Sequence, residues 1–125
     1  MIHLDSSVLI DALTGPRRSG PRLRELIQEG HRVVLSSIVV FEWLRGPRSP
    51  EELGDQEALF PAAESVPFGP AEALAAADFY RRIKRPRGRE IDIAIAASAV
   101  VHDAQLWTLN SRDFRDIPKL QLLPI

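Results

Sequence analysis

The pattern of apolar and polar positions along the chain predicts strands that alternate with helices. Short apolar runs fit buried strands at residues 2–4, 33–35, 106–109 and 120–123, with a brief extended piece at 66–68. Apolar residues at helical spacing predict helices over residues 6–14, 20–29, 38–45, 50–60, 70–84 and 90–101. This alternation favours an α/β domain with a mainly parallel sheet, in which the carboxyl ends of most strands lie along one edge.

The helix predicted at residues 90–101 is apolar on every side. After Asp92 come nine residues that are all small or aliphatic, with Ser98 as their one polar member. A helix without a polar face has no side suited to solvent, so we expect it to be packed over most of its circumference. Its first turn nevertheless carries two acids, Glu90 and Asp92, which either stabilise the helix end or bind a cation.

Composition narrows the class of protein. With 125 residues the chain is long enough for one domain with a single core, predicted over residues 1–125. It contains no cysteine, which excludes disulfides and thiolate metal sites. No apolar run reaches the roughly 18 residues of a membrane span. Because residues 1–5 also lack the regions of a signal peptide, we expect a cytoplasmic protein without a membrane partner.

Two acids that are distant in the sequence are predicted to meet. Asp5 follows the first strand and Asp113 follows the strand near residue 109. Ligand crevices of open α/β sheets lie outside the carboxyl ends of the strands, so both acids belong at such a crevice. Each acid also has a structural explanation, since Asp5 suits a helix N-cap, Asp92 the positive end of a helix and Asp113 a turn.

Glu42 favours a metal site over these structural explanations. It lies within the apolar helical run 38–44, too late after Ser37 for a capping box, and Arg45 is the first basic residue near it. A charge on a mostly buried helix is costly unless it is paired or binds a metal. A cation would let Asp5, Glu42, Asp92 and Asp113 remain ionised together, and oxygen ligands suit Mg²⁺, with Mn²⁺ as a substitute. The three histidines lack metal-ligand spacing and are predicted to be structural or to lie on the surface.

Basic residues indicate the kind of substrate. Six of the nine residues 81–89 are Lys or Arg, and this run ends directly before Glu90. It is either a solvated helix end or an arm that holds a polyanion near water activated by the metal. Polar residues beside the acids either position the substrate or serve only as cap and turn. The candidate substrate-positioning residues are Ser6, Asn110, Arg85, Arg87 and Arg89.

Four segments of the chain resemble the PIN-domain ribonucleases, and most closely the VapC-type toxins of bacterial toxin–antitoxin pairs. These segments are residues 2–10, 37–42, 92–99 and 108–114. The most specific are Asp92-Ile93-Ala94-Ile95-Ala96-Ala97, which fits the pattern D-x-x-I-A-A, and residues 108–114, which fit T-x-N-x-x-D-F. The resemblance covers essentially the whole chain and implies a PIN-like, three-layer α/β/α domain.

The resemblance also implies a function and partners. Asp5, Glu42, Asp92 and Asp113 would form the acidic site of a Mg²⁺-dependent endoribonuclease, with Asp5 and Asp92 as the firmest ligands, Glu42 direct or through water, and Asp113 as an outer or second-metal ligand. RNA substrate, a cognate antitoxin and a homodimer are implied as well. Glu90 is an extra acid, either an alternative ligand or a partner of the helix dipole.

Two alternatives stay open. The first is a catalytically silent PIN-like module that binds RNA or protein. The second is an aspartate-based phosphatase, which is disfavoured because its site needs an acid two residues after Asp5, where this chain has Ser7.

Overall fold

The computed structural model describes residues 1–124 and shows a parallel four-stranded sheet flanked by six helices, the predicted α/β/α arrangement. The strands are β1 (Ile2–Leu4), β2 (Val33–Val34), β3 (Gln105–Trp107) and β4 (Gln121–Leu122). The helices are α1 (Ser6–Leu13), α2 (Gly20–Gln28), α3 (Ser37–Arg45), α4 (Pro50–Leu59), α5 (Pro70–Arg82) and α6 (Glu90–Val101). Short 3₁₀ turns span Ala62–Glu64 and Ser111–Asp113. The predicted domain extends to residue 125, which lies outside the described residues.

The order of the strands places a crevice between β1 and β3. The sheet has the order β2-β1-β3-β4, and all neighbouring strands are parallel. The chain passes from β1 to β2 on one side and then returns across β1 to β3 on the other. In open α/β sheets this reversal opens a crevice at the carboxyl ends of the two strands. Leu4 lies opposite Trp107 at that edge, so the residues that follow each strand are neighbours.

Local sequence signals explain where the helices begin. In α4, Ser49 and Glu52 form a reciprocal capping box, with hydrogen bonds of 3.1 Å and 2.8 Å to each other's backbone. Helix α3 begins at Ser37, one residue earlier than predicted, and Ser36 is its cap. The hydroxyl of Ser36 accepts the backbone N–H of Val39, whereas the hydroxyl of Ser37 accepts the N–H of Phe68. Ser37 thus joins α3 to the extended piece instead of capping it.

Several helices and strands are shorter than predicted. Helix α5 ends at Arg82 instead of residue 84, because Ile83 has an extended backbone (ψ 138°). The strand predicted at 106–109 is β3, Gln105–Trp107, and the last strand is only Gln121–Leu122. The extended piece at 66–68 makes a single parallel bridge, from Val66 to Ser36.

Helix α6 lies at the centre of the packing, as its apolar sequence predicts. Every residue from Ile93 to Ala99 is buried, and α5 packs along its length. Small residues such as Ala96 and Ala97 have no exposed surface and allow the neighbouring elements to approach closely. The first turn of this buried helix lies beside the crevice and holds Asp92 there. Within residues 1–124, no helix combines the length and apolarity needed to cross a membrane.

Candidate active site

Asp5 lies at the crevice between β1 and β3. Its backbone N–H donates to the carbonyl of Trp107 at 2.9 Å, and only 3% of the residue is exposed. Although it holds the N-cap position of α1, its carboxylate makes no capping hydrogen bond. Instead, Oδ2 accepts from the hydroxyls of Ser7 (2.8 Å) and Thr108 (2.7 Å). The Asp5 side chain therefore does not cap α1, but binds the hydroxyls of Ser7 and Thr108.

The two hydroxyls that bind Asp5 are themselves fixed by backbone amides. Ser7 Oγ accepts the N–H of Leu109 at 3.1 Å, and Thr108 Oγ1 accepts the N–H of Asn110 at 3.0 Å. We call Ser7 and Thr108 the hydroxyl clamp. Among residues 1–124, Oδ1 of Asp5 accepts no hydrogen bond, so the clamp orients one carboxylate oxygen and leaves the other available.

Glu42 projects from α3 with a side chain that is 16% exposed. Its Oε1 accepts from the hydroxyl of Ser6 at 2.7 Å, and its Oε2 lies 3.2 Å from Nη2 of Arg45. Arg45, the first basic residue near Glu42 in the sequence, is therefore its charged partner, because it lies one helical turn away on the same face. Ser6 contacts Glu42 directly and joins the start of α1 to α3.

Asp92 shows that the four predicted acids influence one another. Burial in the first turn of α6, followed by the charges of Asp5, Glu42 and Asp113, raises the pKa of Asp92 to about 6. Arg89 opposes this change only weakly, as the smallest of the contributions to the pKa. Within residues 1–124 no hydrogen bond contributes to this pKa, so the Asp92 carboxylate lies among like charges.

Arg89 connects the start of α6 to the turn that carries Asp113. Its Nη2 donates to the backbone carbonyl of Asp113 at 2.8 Å, and its guanidinium pairs with both carboxylate oxygens of Asp116 at 2.6 Å and 2.8 Å. This pairing holds the pKa of Asp116 below its usual range. Sequence reasoning missed Asp116, since no motif distinguishes it from other acids on a polar turn.

The remaining candidates lie on the surface. Arg85 and Arg87 are exposed on the loop between α5 and α6, and neither forms an ion pair or a hydrogen bond within residues 1–124. Asn110 is exposed, and its backbone N–H belongs to the network around the hydroxyl clamp. Glu90 is the exposed first residue of α6, at the positive end of the helix.

The chemistry of the donors fits Mg²⁺ or Mn²⁺. The four acids offer only oxygen ligands, which these hard cations prefer, and a cation would relieve the repulsion felt by Asp92. In residues 1–124, no three acidic or histidine side chains already converge on one point that could hold an ion. Mg²⁺ is usually bound by one or two carboxylates with water as its other ligands, so a site of this kind does not need three converging side chains.

Comparisons with known proteins assign the family. The PIN domain family matches residues 2–120, which include all four acids, and the chain belongs to this family. It is 36% identical over 120 residues to ribonuclease VapC19 of Mycobacterium tuberculosis strain H37Rv, a match that covers 94% of this chain and 95% of that protein. The VapC-type resemblance of the sequence is thereby confirmed.

Solved structures show the same fold. VapBC from Salmonella typhimurium, solved bound to DNA, superposes with a TM-score of 0.80 at 21% identity and covers 98% of this chain and 96% of that chain. VapBC2 from Rickettsia felis, bound to a DNA fragment from its promoter, gives a TM-score of 0.77 at 20% identity and covers 98% of both chains. At this identity the two structures establish the PIN-like arrangement of the elements.

Proposed function

We propose that this protein is a Mg²⁺-dependent endoribonuclease that hydrolyses RNA phosphodiester bonds, and that it is the toxin of a VapBC-type toxin–antitoxin pair. The observation that carries the proposal is that a chain of the PIN domain family brings Asp92 close enough to Asp5, Glu42 and Asp113 for their charges to raise its pKa. A half-buried carboxylate among like charges is costly, and a bound cation would remove that cost. The similar protein VapC19 carries the name ribonuclease, which supports RNA as the substrate.

The residues of the site have distinct roles in this proposal. Asp5 and Asp92 hold the metal ion, Glu42 binds it directly or through water, and Asp113 is an outer or second-metal ligand. When bound, the ion supplies Lewis-acid stabilisation of the phosphate and lowers the pKa of water. The hydroxyl clamp orients Asp5, because hydrogen bonds to one carboxylate oxygen fix the direction of the other. Arg85 and Arg87 hold substrate phosphates.

A cognate antitoxin and a second copy of the chain are part of the proposal. A groove of about 450 Å³ runs between α1, α2 and α4. Its apolar lining includes Ile27 and Leu59, both substantially exposed, and Arg24 also lines it. This chemistry suits the apolar face of an antitoxin helix that also carries acidic residues. Phe41 and Leu44, each about half exposed on α3, support a homodimer contact.

The test is cleavage of labelled total RNA by the purified protein with Mg²⁺, with Mn²⁺ and with EDTA. We expect metal-dependent cuts that disappear in the Asp5→Asn variant. The matched control is Asp103→Asn, which removes an exposed acid after the far end of α6, at a left-handed position (φ 52°) that asparagine adopts readily. Cuts that persist in EDTA, or in Asp5→Asn, would contradict the proposal.

The same assay separates the proposal from the silent alternative. A PIN-like module that binds RNA or protein without cutting would leave RNA intact in every lane although the protein is folded. Mn²⁺ binding by calorimetry then decides whether the acidic site exists, since loss of binding in Asp5→Asn but not in Asp103→Asn locates the ion at the crevice.

A further inference from the structure

The loop between α5 and α6 borders an open cavity that the acidic residues do not line. This cavity of about 570 Å³ is lined by Tyr80, Lys84, Arg85, Pro86 and Arg87. Its volume lies within the range of about 300–1,000 Å³ that is usual for small-molecule sites. One aromatic ring and three cations therefore share one concave surface.

The positive charge of this cavity is not compensated. Arg81 and Arg82 pair with Asp78 at 3.8 Å and 3.2 Å, and Arg89 pairs with Asp116. By contrast, the three cations that line the cavity form no ion pair within residues 1–124, and all three are exposed. The neighbouring arginines are thus paired with acids of the protein, whereas the positive charge of the cavity remains available to an anionic ligand.

The loop around the cavity is held in a defined shape. The backbone N–H of Arg89 donates to the carbonyl of Pro86 at 3.0 Å and closes a turn. Gly88 has φ 80° within this turn, a conformation that favours glycine. Tyr80 is partly buried and packs against the core, so its ring has little freedom. A site that is already formed loses little entropy when a ligand binds.

The cavity is also tied to the acidic site. Arg89 follows the turn directly and is fixed to Asp116 and to the carbonyl of Asp113. Arg87 and Asp92 are five positions apart in the chain, so their Cα atoms lie within about 18 Å of each other. A ligand that occupies the cavity can therefore extend to the acids.

We propose that this cavity binds one unpaired nucleotide of the RNA substrate, with the base stacked on Tyr80 and the adjacent phosphates bound by Lys84, Arg85 and Arg87. Stacking on an aromatic ring together with cations along the backbone is how proteins hold single-stranded nucleic acid. A base in a duplex is already stacked and cannot reach the ring. The inference rests on the proposed function and adds a preference for unpaired RNA.

Binding measured without cleavage tests this site. A short fluorescein-labelled single-stranded oligoribonucleotide is titrated with protein in EDTA, and fluorescence anisotropy gives the affinity for each variant. Tyr80→Leu should weaken binding on the order of tenfold, whereas Tyr80→Phe, which keeps the stacking face, should bind like the wild type. Thermal melting of both variants checks that they remain folded.

The charge is tested with an exposed residue. Arg87→Gln should reduce the slope of log affinity against log salt concentration by about 0.7, the effect of one lost phosphate contact on a single strand. Arg32→Gln is the matched control, because Arg32 is exposed before β2, at the edge of the sheet opposite the acids. Its slope should remain that of the wild type.

The outcomes separate this inference from the proposed function. Unchanged affinity in Tyr80→Leu and an unchanged slope in Arg87→Gln, with a wild type that still cuts RNA, would overturn the cavity as a nucleotide site but not the nuclease. Equal binding of a hairpin duplex would also overturn it. If polyglutamate displaces the RNA and binds Tyr80→Leu as tightly as the wild type, the cavity is a protein contact instead. A wild type that neither binds nor cuts RNA refutes both.

Discussion

Replacing Asp92 with Asn should stabilise the metal-free protein while it abolishes metal binding and RNA cleavage. Burial and the neighbouring carboxylates raise the pKa of Asp92 from 3.8 to about 6, which corresponds to about 3 kcal/mol. Solvent reduces this value because the side chain is only partly buried. Asparagine also loses about 0.3–1 kcal/mol of attraction to the helix N-terminus. We therefore expect a net gain of about 1–2 kcal/mol in the free energy of unfolding at neutral pH.

The pH dependence of this gain has a definite sign. Because the pKa of Asp92 is higher in the folded protein than in the unfolded chain, the ionised carboxylate destabilises the fold. This cost is absent below pH 3.8, develops as the pH rises to about 6, and is fully present above that value. The variant has no such titration. The difference between the variant and the wild type should therefore grow from pH 4 to pH 6 and then stay constant.

Urea unfolding in EDTA, followed through the buried Trp43 and Trp107, measures this difference. When Mn²⁺ replaces EDTA, the free energy of unfolding should rise for the wild type and stay the same for Asp92→Asn, since a ligand stabilises only the form that binds it. Asp103→Asn, with its acid beyond the other end of α6, should respond to Mn²⁺ like the wild type. A destabilised Asp92→Asn would show that Asp92 is a structural helix residue, and equal Mn²⁺ stabilisation of both proteins would show that it is not a ligand.

Variants at three further places test other parts of the structure. Thr108→Val removes one half of the hydroxyl clamp and should weaken Mn²⁺ affinity about 10–100-fold in calorimetry. Ser7→Ala removes the other half and should have a similar effect. Unchanged affinity would show that the clamp does not orient Asp5 for metal binding. Arg89→Met should lower kcat with little change in the melting temperature, because the turn that carries Asp113 loses its hydrogen bond to Arg89. Asp116→Asn should lower kcat less, because the hydrogen bond from Arg89 to the Asp113 carbonyl remains. His3 is buried, and burial followed by His102 lowers its pKa to about 4. The unfolded chain therefore takes up the proton first, and the wild type should lose about 3 kcal/mol between pH 6.5 and 4 in urea titrations, a loss that His3→Leu should not show.

The order of elements could be predicted because periodicity and turn residues act locally. The apolar run after Asp92 predicted a buried helix, and every residue from Ile93 to Ala99 is buried. The helix predicted from residue 50 is α4, which begins at Pro50 behind the capping box of Ser49 and Glu52. The bounds of the edge strands were harder to predict, because a strand of two residues such as β2 has almost no periodicity. Its extent depends on pairing with β1.

The site could be predicted only in outline. The topology of a parallel sheet brings Asp5 near the residues after β3, and this required no knowledge of side chains. The partners of each acid depend on rotamers and on distant chain segments, which no local pattern encodes. Arg45 as the partner of Glu42, and Asp116 as the partner of Arg89, are of this kind. Whether the acids bind a metal remains a prediction.

The hydroxyl clamp has a consequence for when the acidic crevice can assemble during synthesis of the chain. It joins Asp5 to Thr108 across 103 positions of the chain, and Ser7 to the amide of Leu109 across 102. Until β3 has been made and has paired with β1, Asp5 has neither its neighbouring strand nor the hydroxyl of Thr108. A nascent chain on the ribosome therefore carries Asp5, but not the means to orient it, until Thr108 and Leu109 have been added. The order in which the chain is built thus delays assembly of the acidic crevice until β3 is present.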